Sequence, residues 1–321
     1  MSTVLVLRAL GLGDLLAAVP ALRGLRRACP EHEIVLAAPA RFADVVAATG
    51  AVDRLLPTTA PGREVPSHLD WDGPPPDVAV DLHGNGPLSH DLLAALGPAR
   101  ILSWVDGPTW RDDEHERVRW CRLLRFYGIG ADPDDVRLDV VRPPGPGAVL
   151  IHPGADAAAR RWPADRFAAV ARALTAAGVP VVITAGRGEG ALAAAVADRA
   201  GLPPATVVGG DADVPFAALA ARVAGARAVV VGDTGIAHLA SAVATPSVVL
   251  FGPVSPALWG PPADFRHRVL WRPDDPAVLR PGDAHGTTPD ARLLRVGVDD
   301  VRTELAALGI PTEAALSGAA R

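Results

Sequence analysis

The sequence predicts an α/β protein in two halves, and three observations predict it. Short Val/Leu runs alternate with Ala/Leu/Arg segments of helical period, the pattern of parallel sheets covered by helices on both faces. At 321 residues the chain exceeds what one hydrophobic core usually organises. Near its middle, Arg142-Pro143-Pro144-Gly145-Pro146-Gly147 breaks every pattern, because the prolines remove hydrogen-bond donors and the glycines remove packing side chains.

Taken in order, strands are expected in the first half at 3–8, 33–37, 52–56, 77–82 and 100–104, with helices at 15–28, 41–49, 88–96 and 112–127 between them. The second half restarts with strand 148–152, helix 164–177, strand 180–184 and helix 189–200. It continues with strand 206–208, helix 215–224, strand 228–231, helix 236–243 and strand 247–251. Segments 58–76 and 273–289 read as long loops, which in compact domains are usually functional or mobile. A closing helix is expected at 299–308. The domains are then 1–145, 146–300 and a C-terminal helix and tail at 301–321.

Composition narrows the function. With 49% hydrophobic and 21% charged residues the chain can bury two sizeable cores and is not of disordered type. A net charge of −5 offers no basic field, so nucleic acid is not an expected partner. All 31 cationic side chains are Arg. An anion site must therefore use guanidinium groups or backbone N–H groups, and Lys Schiff-base chemistry is excluded. Cys29 and Cys121 form no CxxC pair, which suggests neither zinc nor a disulfide framework and suits a reducing cytoplasm. Residues 1–21 lack a basic leader and are interrupted by Arg8 and Asp14, so they read as strand and helix. No run of about 18 apolar residues marks a membrane span, which leaves only peripheral membrane contact open.

The strongest chemical signal is Val229-Val230-Val231-Gly232-Asp233-Thr234-Gly235-Ile236-Ala237-His238, a buried strand turning tightly into a helix. Unpaired N–H groups at the helix start favour an anion, Gly235 permits close approach, and His238 lies one turn beyond Thr234. Alternatively Asp233 is a helix N-cap, Thr234 a second cap and His238 a packed surface residue. A second cluster, Ile151-His152-Pro153-Gly154 followed by Arg160-Arg161-Trp162-Pro163, joins the first strand and helix of the second half. Pro163 suits the first helical position, leaving the arginines in the loop, where they either neutralise a phosphate or are simply solvated. Glu189, after Gly186-Arg187-Gly188, is placed either to bind ribose hydroxyls or to cap its helix.

In the first half, Arg8-Ala9-Leu10-Gly11-Leu12-Gly13-Asp14 ends a strand and opens a helix. Leu16 stands where a dinucleotide fingerprint needs a third small residue, so that reading is weak. Asp14 is either an N-cap or a general base for an acceptor hydroxyl.

Together these residues resemble glycosyltransferase family 9, the ADP-heptose heptosyltransferases. The similar features are Arg8 with Gly13-Asp14 and Pro20-Ala21-Leu22; His152-Pro153-Gly154 with Arg160-Arg161-Trp162-Pro163; and Gly232-Asp233-Thr234-Gly235 with His238-Leu239-Ala240, Phe251-Gly252-Pro253 and Trp259-Gly260-Pro261. Weaker echoes are Asp81-Leu82-His83-Gly84 and His115 with Arg119. The resemblance implies the GT-B fold, two facing Rossmann-like domains with a C-terminal helix crossing back, and an inverting, metal-independent sugar transfer needing no cofactor. It implies Asp14 as the base, with Gly13, His83 and His115 on the acceptor side. His152, Arg160, Glu189, Asp233, Thr234, Gly235 and His238 would surround a nucleotide-sugar donor, ADP-heptose by resemblance. The acceptor would be a glycan or a natural-product aglycone. Competing readings are an epimerase or hydrolase of the same fold, a non-catalytic nucleotide-binding module and a nicotinamide oxidoreductase.

Overall fold

The computed structural model describes residues 2–145 and 147–312. Contacts divide the chain into two units, Met1–Asp139 and Val140–Arg321.

The first unit runs β1 (Thr3–Leu7), α1 (Leu12–Ala28), β2 (Glu33–Ala38), α2 (Ala43–Ala48), β3 (Arg54–Pro57), β4 (Val78–Asp81), α3 (Pro87–Ala94), β5 (Arg100–Leu102) and α4 (Glu116–Phe126). Its five strands form one parallel sheet in the order β3-β2-β1-β4-β5. Every residue of β1 is buried, as a central strand covered on both faces requires. Leu5, Leu7, Val35, Ala37, Ala79 and Leu93 form part of one core cluster. After β1 the chain passes to β2 on one side, whereas β4 lies on the other. The crevice at the carboxyl ends of β1 and β4 is therefore a topological switch point, where ligands of such sheets bind.

The second unit runs β6 (Val149–His152), α5 (Ala164–Ala176), β7 (Val181–Ala185), α6 (Gly190–Ala200), β8 (Val207–Gly209), α7 (Phe216–Gly225), β9 (Ala228–Gly232), α8 (Gly235–Ala242) and β10 (Ser247–Leu250). It closes with α9 (Pro256–Trp259), β11 (His267–Leu270), α10 (Ala291–Leu294) and α11 (Val298–Ala307). Six parallel strands take the order β11-β10-β9-β6-β7-β8, with its switch point between β6 and β9, where His152 pairs in register with Val231. Trp162 anchors the loop leading into α5. Its indole lies edge-on to Phe167 at 5.0 Å and donates to the Val296 carbonyl at 2.9 Å.

Most expected elements form, and the differences fall at their ends. α1 begins at Leu12 because Gly11, extended at φ −76° and ψ 174°, is its N-cap. Asp14 is thus not the cap but the third helical residue, and its carboxylate accepts the Gly11 N–H at 3.3 Å. Thr234 rather than Asp233 precedes α8, and its side chain makes no capping bond. Pro163 lies one position before α5, since its ψ of 135° is extended. α4 starts at Glu116, later than expected, with His115 as its cap. α9, β11 and α10 lacked a periodic signal. α11 packs on α5, β10 and β11 of its own unit, and residues 313–321 of the expected tail lie outside the described residues. Among the described residues no helix is long and apolar enough to cross a membrane.

Candidate functional site

In the second unit, buried β9 delivers the turn Gly232-Asp233-Thr234-Gly235 to the switch point. From the loop after β6, Arg160 reaches this turn and donates Nη1 to the Asp233 carbonyl at 3.3 Å. The two segments approach so closely that a Cβ at Gly232 would lie 2.9 Å from the Arg160 carbonyl oxygen. Two polar atoms here, Arg160 Nε and Thr234 Oγ1, are buried without a hydrogen-bond partner. Leaving such a group unsatisfied costs about 1–3 kcal/mol, which an anion supplying acceptor oxygens would recover. The N-terminus of α8 adds backbone donors and the positive end of its dipole. Of the two adjacent arginines only Arg160 meets the turn, because Arg161 Nε is committed to the Ala155 carbonyl at 2.9 Å. His238, on α8, packs edge-on against Trp259 at 5.9 Å.

Beside this cradle, His152 ends β6 and Glu189 precedes α6. His152 Nδ1 donates to the Thr184 carbonyl at 3.1 Å, which leaves Nε2 facing Glu189 Oε2 at 3.8 Å. Burial holds the imidazole pKa below its ordinary value despite the carboxylate. Glu189 Oε2 accepts the Gly186 N–H at 2.8 Å. Its carboxylate fills the space where Gly154 lacks a side chain, for a Cβ there would meet Glu189 Oε2 at 2.0 Å. The glycine of His152-Pro153-Gly154 therefore exists to admit Glu189.

In the first unit, Arg8 and Asp14 occupy the other switch point, exposed by only 1% and 5%. Arg8 donates Nε to the Asp14 carbonyl at 3.1 Å and Nη1 to the Leu82 carbonyl, and Nη2 pairs with Glu116 Oε1 at 3.0 Å. Its guanidinium lies over Trp120 at 4.7 Å, and Trp120 in turn donates to Glu116 at 2.8 Å. The Asp14 carboxylate lies 3.6 Å from Arg8 and receives both terminal nitrogens of Arg63, at 3.0 and 2.7 Å. Burial pushes the Asp14 pKa up, but the Arg8 and Arg63 charges and the Gly11 N–H outweigh it, and the net shift is downward. His83 follows β4 at the same edge, its backbone N–H held by Asp81 Oδ1 at 2.9 Å. Gly13 is the second residue of α1. His115 is spent on capping, its Nδ1 accepting the Arg117 N–H at 3.1 Å.

The geometry thus gathers Asp14, Gly13 and His83 at one sheet edge, and His152, Arg160, Glu189, Asp233, Thr234 and Gly235 at the other. Arg63 and Glu116 are additions that the sequence did not single out. Arg63 does lie within loop 58–76, whose length marks it as functional or mobile. Among the described residues, no group of three or more His, Cys, Asp or Glu side chains is arranged to hold a metal ion.

Residues 137–277 match the sequence profile described as glycosyltransferase family 9 (heptosyltransferase). Lipopolysaccharide heptosyltransferase 3 of Escherichia coli is 35% identical over 184 residues, 57% of this chain and 49% of that protein, so the chain spans about half of this relative's length. Lipopolysaccharide heptosyltransferase 1 of Pseudomonas aeruginosa is 25% identical over 80% of each chain. The fold of E. coli ADP-heptose LPS heptosyltransferase II is shared over 95% of this chain and 98% of that one, at a TM-score of 0.74 and 20% identity. With three ordered signatures placed at two sheet switch points, the chain is similar to the heptosyltransferases of glycosyltransferase family 9 and shares the fold of E. coli heptosyltransferase II.

Proposed function

We propose that the chain is an inverting glycosyltransferase that moves a sugar from an ADP-linked donor, ADP-heptose, to an acceptor hydroxyl. The observation that carries the donor half is the meeting of Arg160 with the Gly232–Gly235 turn, where Arg160 Nε and Thr234 Oγ1 are buried without partners above a helix N-terminus. Residues 146–300 would hold the donor, with Asp233, Gly235 and His238 around the phosphates and His152 and Glu189 towards the nucleoside. Residues 1–145 would hold the acceptor, with Gly13 and His115 on that side. The relative named for ADP-heptose supports the choice of donor.

In the reaction the acceptor oxygen attacks the anomeric carbon as the bond from that carbon to the phosphate oxygen breaks. The bonding pair leaves with ADP, and the hydroxyl proton passes to the Asp14 carboxylate. A single displacement inverts the anomeric centre. The arginine and backbone donors neutralise the departing diphosphate, so the reading requires neither metal nor cofactor. The acceptor is a glycan or an aglycone, and the free thiols of Cys29 and Cys121 fit a cytoplasmic setting.

The test is incubation of the protein with ADP-heptose and a panel of glycan and aglycone acceptors, with and without EDTA, followed by mass spectrometry. Transfer that survives EDTA, and that Asp14→Asn lowers by about a hundredfold or more while ADP still raises Tm, supports the reading. Transfer from no ADP-sugar overturns the donor assignment, loss of transfer in EDTA overturns metal independence, and parental transfer by Asp14→Asn overturns the base.

A further inference from the structure

Asp14 is not the only hydrogen-bond acceptor at the first switch point. His83 is 7% exposed, and its two ring nitrogens differ in their surroundings. Nε2 lies 3.1 Å from the Glu64 carbonyl, which can only accept, so Nε2 carries the hydrogen of the neutral ring. Nδ1 is then a lone pair, and it is buried without a partner. The ring is firmly mounted, because Asp81 Oδ1 accepts the backbone N–H groups of His83 and Gly84 at 2.9 and 3.3 Å, and Leu82 is tied to Leu7 at 3.1 Å.

The charged groups facing His83 are Arg8 from the end of β1, Asp14 from α1 and Arg63 from loop 58–76, with Asp81 beneath at the end of β4. Burial, Arg8 and Arg63 hold the imidazole pKa below its ordinary value, against the opposite pulls of the Glu64 carbonyl and Asp14. Nearby donors are already engaged elsewhere. Arg8 serves Asp14, Leu82 and Glu116, and the terminal nitrogens of Arg63 serve Asp14. A fixed, buried, unfilled lone pair beside the proposed base is a binding feature for an incoming donor.

We propose that His83 Nδ1 accepts a hydrogen bond from an acceptor hydroxyl other than the one that reacts. The acceptor accordingly carries at least two hydroxyl groups, the reacting one and the one that His83 holds. This rests on reading the Asp14 edge as the acceptor site. It deepens that reading, since a site built around a substrate hydroxyl discriminates against analogues lacking it.

Two measurements test it. The first is 15N NMR of histidine-labelled protein, with His83→Asn assigning the resonance, titrated with methyl glycosides of hexoses and heptoses and with cyclohexanol as the single-hydroxyl probe. Nδ1 is expected to be unprotonated in the free protein and to shift with at least one glycoside but not with cyclohexanol. A protonated Nδ1, a resonance that no glycoside moves, or an equal response to cyclohexanol overturns the proposal. This readout needs no turnover, so failure of the transferase reading registers separately in the transfer assay.

The second compares His83→Gln with His83→Asn. A Gln amide can still reach Glu64 but offers nothing in place of Nδ1, whereas Asn places its oxygen near Nδ1 and gives up Glu64. Gln is expected to raise the acceptor KM about tenfold with the donor KM unchanged, and Asn to stay nearer the parent. The reverse order means that His83 merely pins the loop, and overturns the proposal.

Discussion

Arg63 closes on Asp14 with both terminal guanidinium nitrogens, at 3.0 and 2.7 Å, so a residue of the longest loop in the first unit clamps the carboxylate proposed as base. For Asp14 to take a proton from an acceptor, Arg63 has to yield at least one of these contacts. The clamp both orders the carboxylate and weakens it as a base.

Arg63→Ala removes one of the two arginines that depress the Asp14 pKa, which then rises toward its ordinary value of 3.8. The acid limb of the kcat/KM profile is expected to move to higher pH. A depressed carboxyl pKa contributes stability that is present above the unfolded value and lost as pH falls through the folded one. The variant should therefore lose less stability on acidification below about pH 4, as read by Tm against pH. Because Arg63 is half exposed, its loss at neutral pH should cost no more than about 1 kcal/mol.

Glu116→Ala removes a carboxylate shared by two buried guanidinium groups, since Glu116 pairs with both Arg8 and Arg119. Removing one partner of a buried ion pair typically costs about 3–5 kcal/mol. Chemical denaturation should show a loss of that size, far above that of Arg63→Ala. An effect below about 1 kcal/mol would mean that water reaches this cluster.

Thr234→Val and Arg160→Ala separate binding from folding. Thr234 Oγ1 has no partner, so replacing the hydroxyl by a methyl of similar shape should leave Tm unchanged or slightly raised while ADP affinity falls. Arg160→Ala should lower the transfer rate about a hundredfold, the usual cost of losing one charge-stabilising donor. Isothermal titration with ADP and steady-state rates check both.

Gly154→Ala places a methyl in the space held by the Glu189 carboxylate. The variant should lose about 1–3 kcal/mol through overpacking, and donor affinity should fall with it. Adding Glu189→Ser should restore stability but not donor affinity, as measured by Tm and ADP titration.

The central strands were legible because burial on both faces writes itself as uninterrupted Val/Leu runs, as in Thr3–Leu7 and Ala228–Gly232. The edge strand His267–Leu270 carries His and Arg and buries only Leu270, so it has no such signature. α9 and α10 span four residues each, too short for periodicity to register. At the site, the Arg160 loop and the Gly232 turn stood out because glycine and proline mark where backbone must bend or approach closely. The clamp on Asp14 did not, because Arg63 is remote in sequence and no local pattern marks its target. The same holds for Arg8 with Glu116, a pairing created only when α4 packs against α1.

Gly154 and Glu189 share one small volume, which ties their histories together. A lineage that enlarges residue 154 must first shorten residue 189, and one that keeps the long carboxylate cannot leave glycine. The two codons should therefore drift as a pair among descendants of this gene.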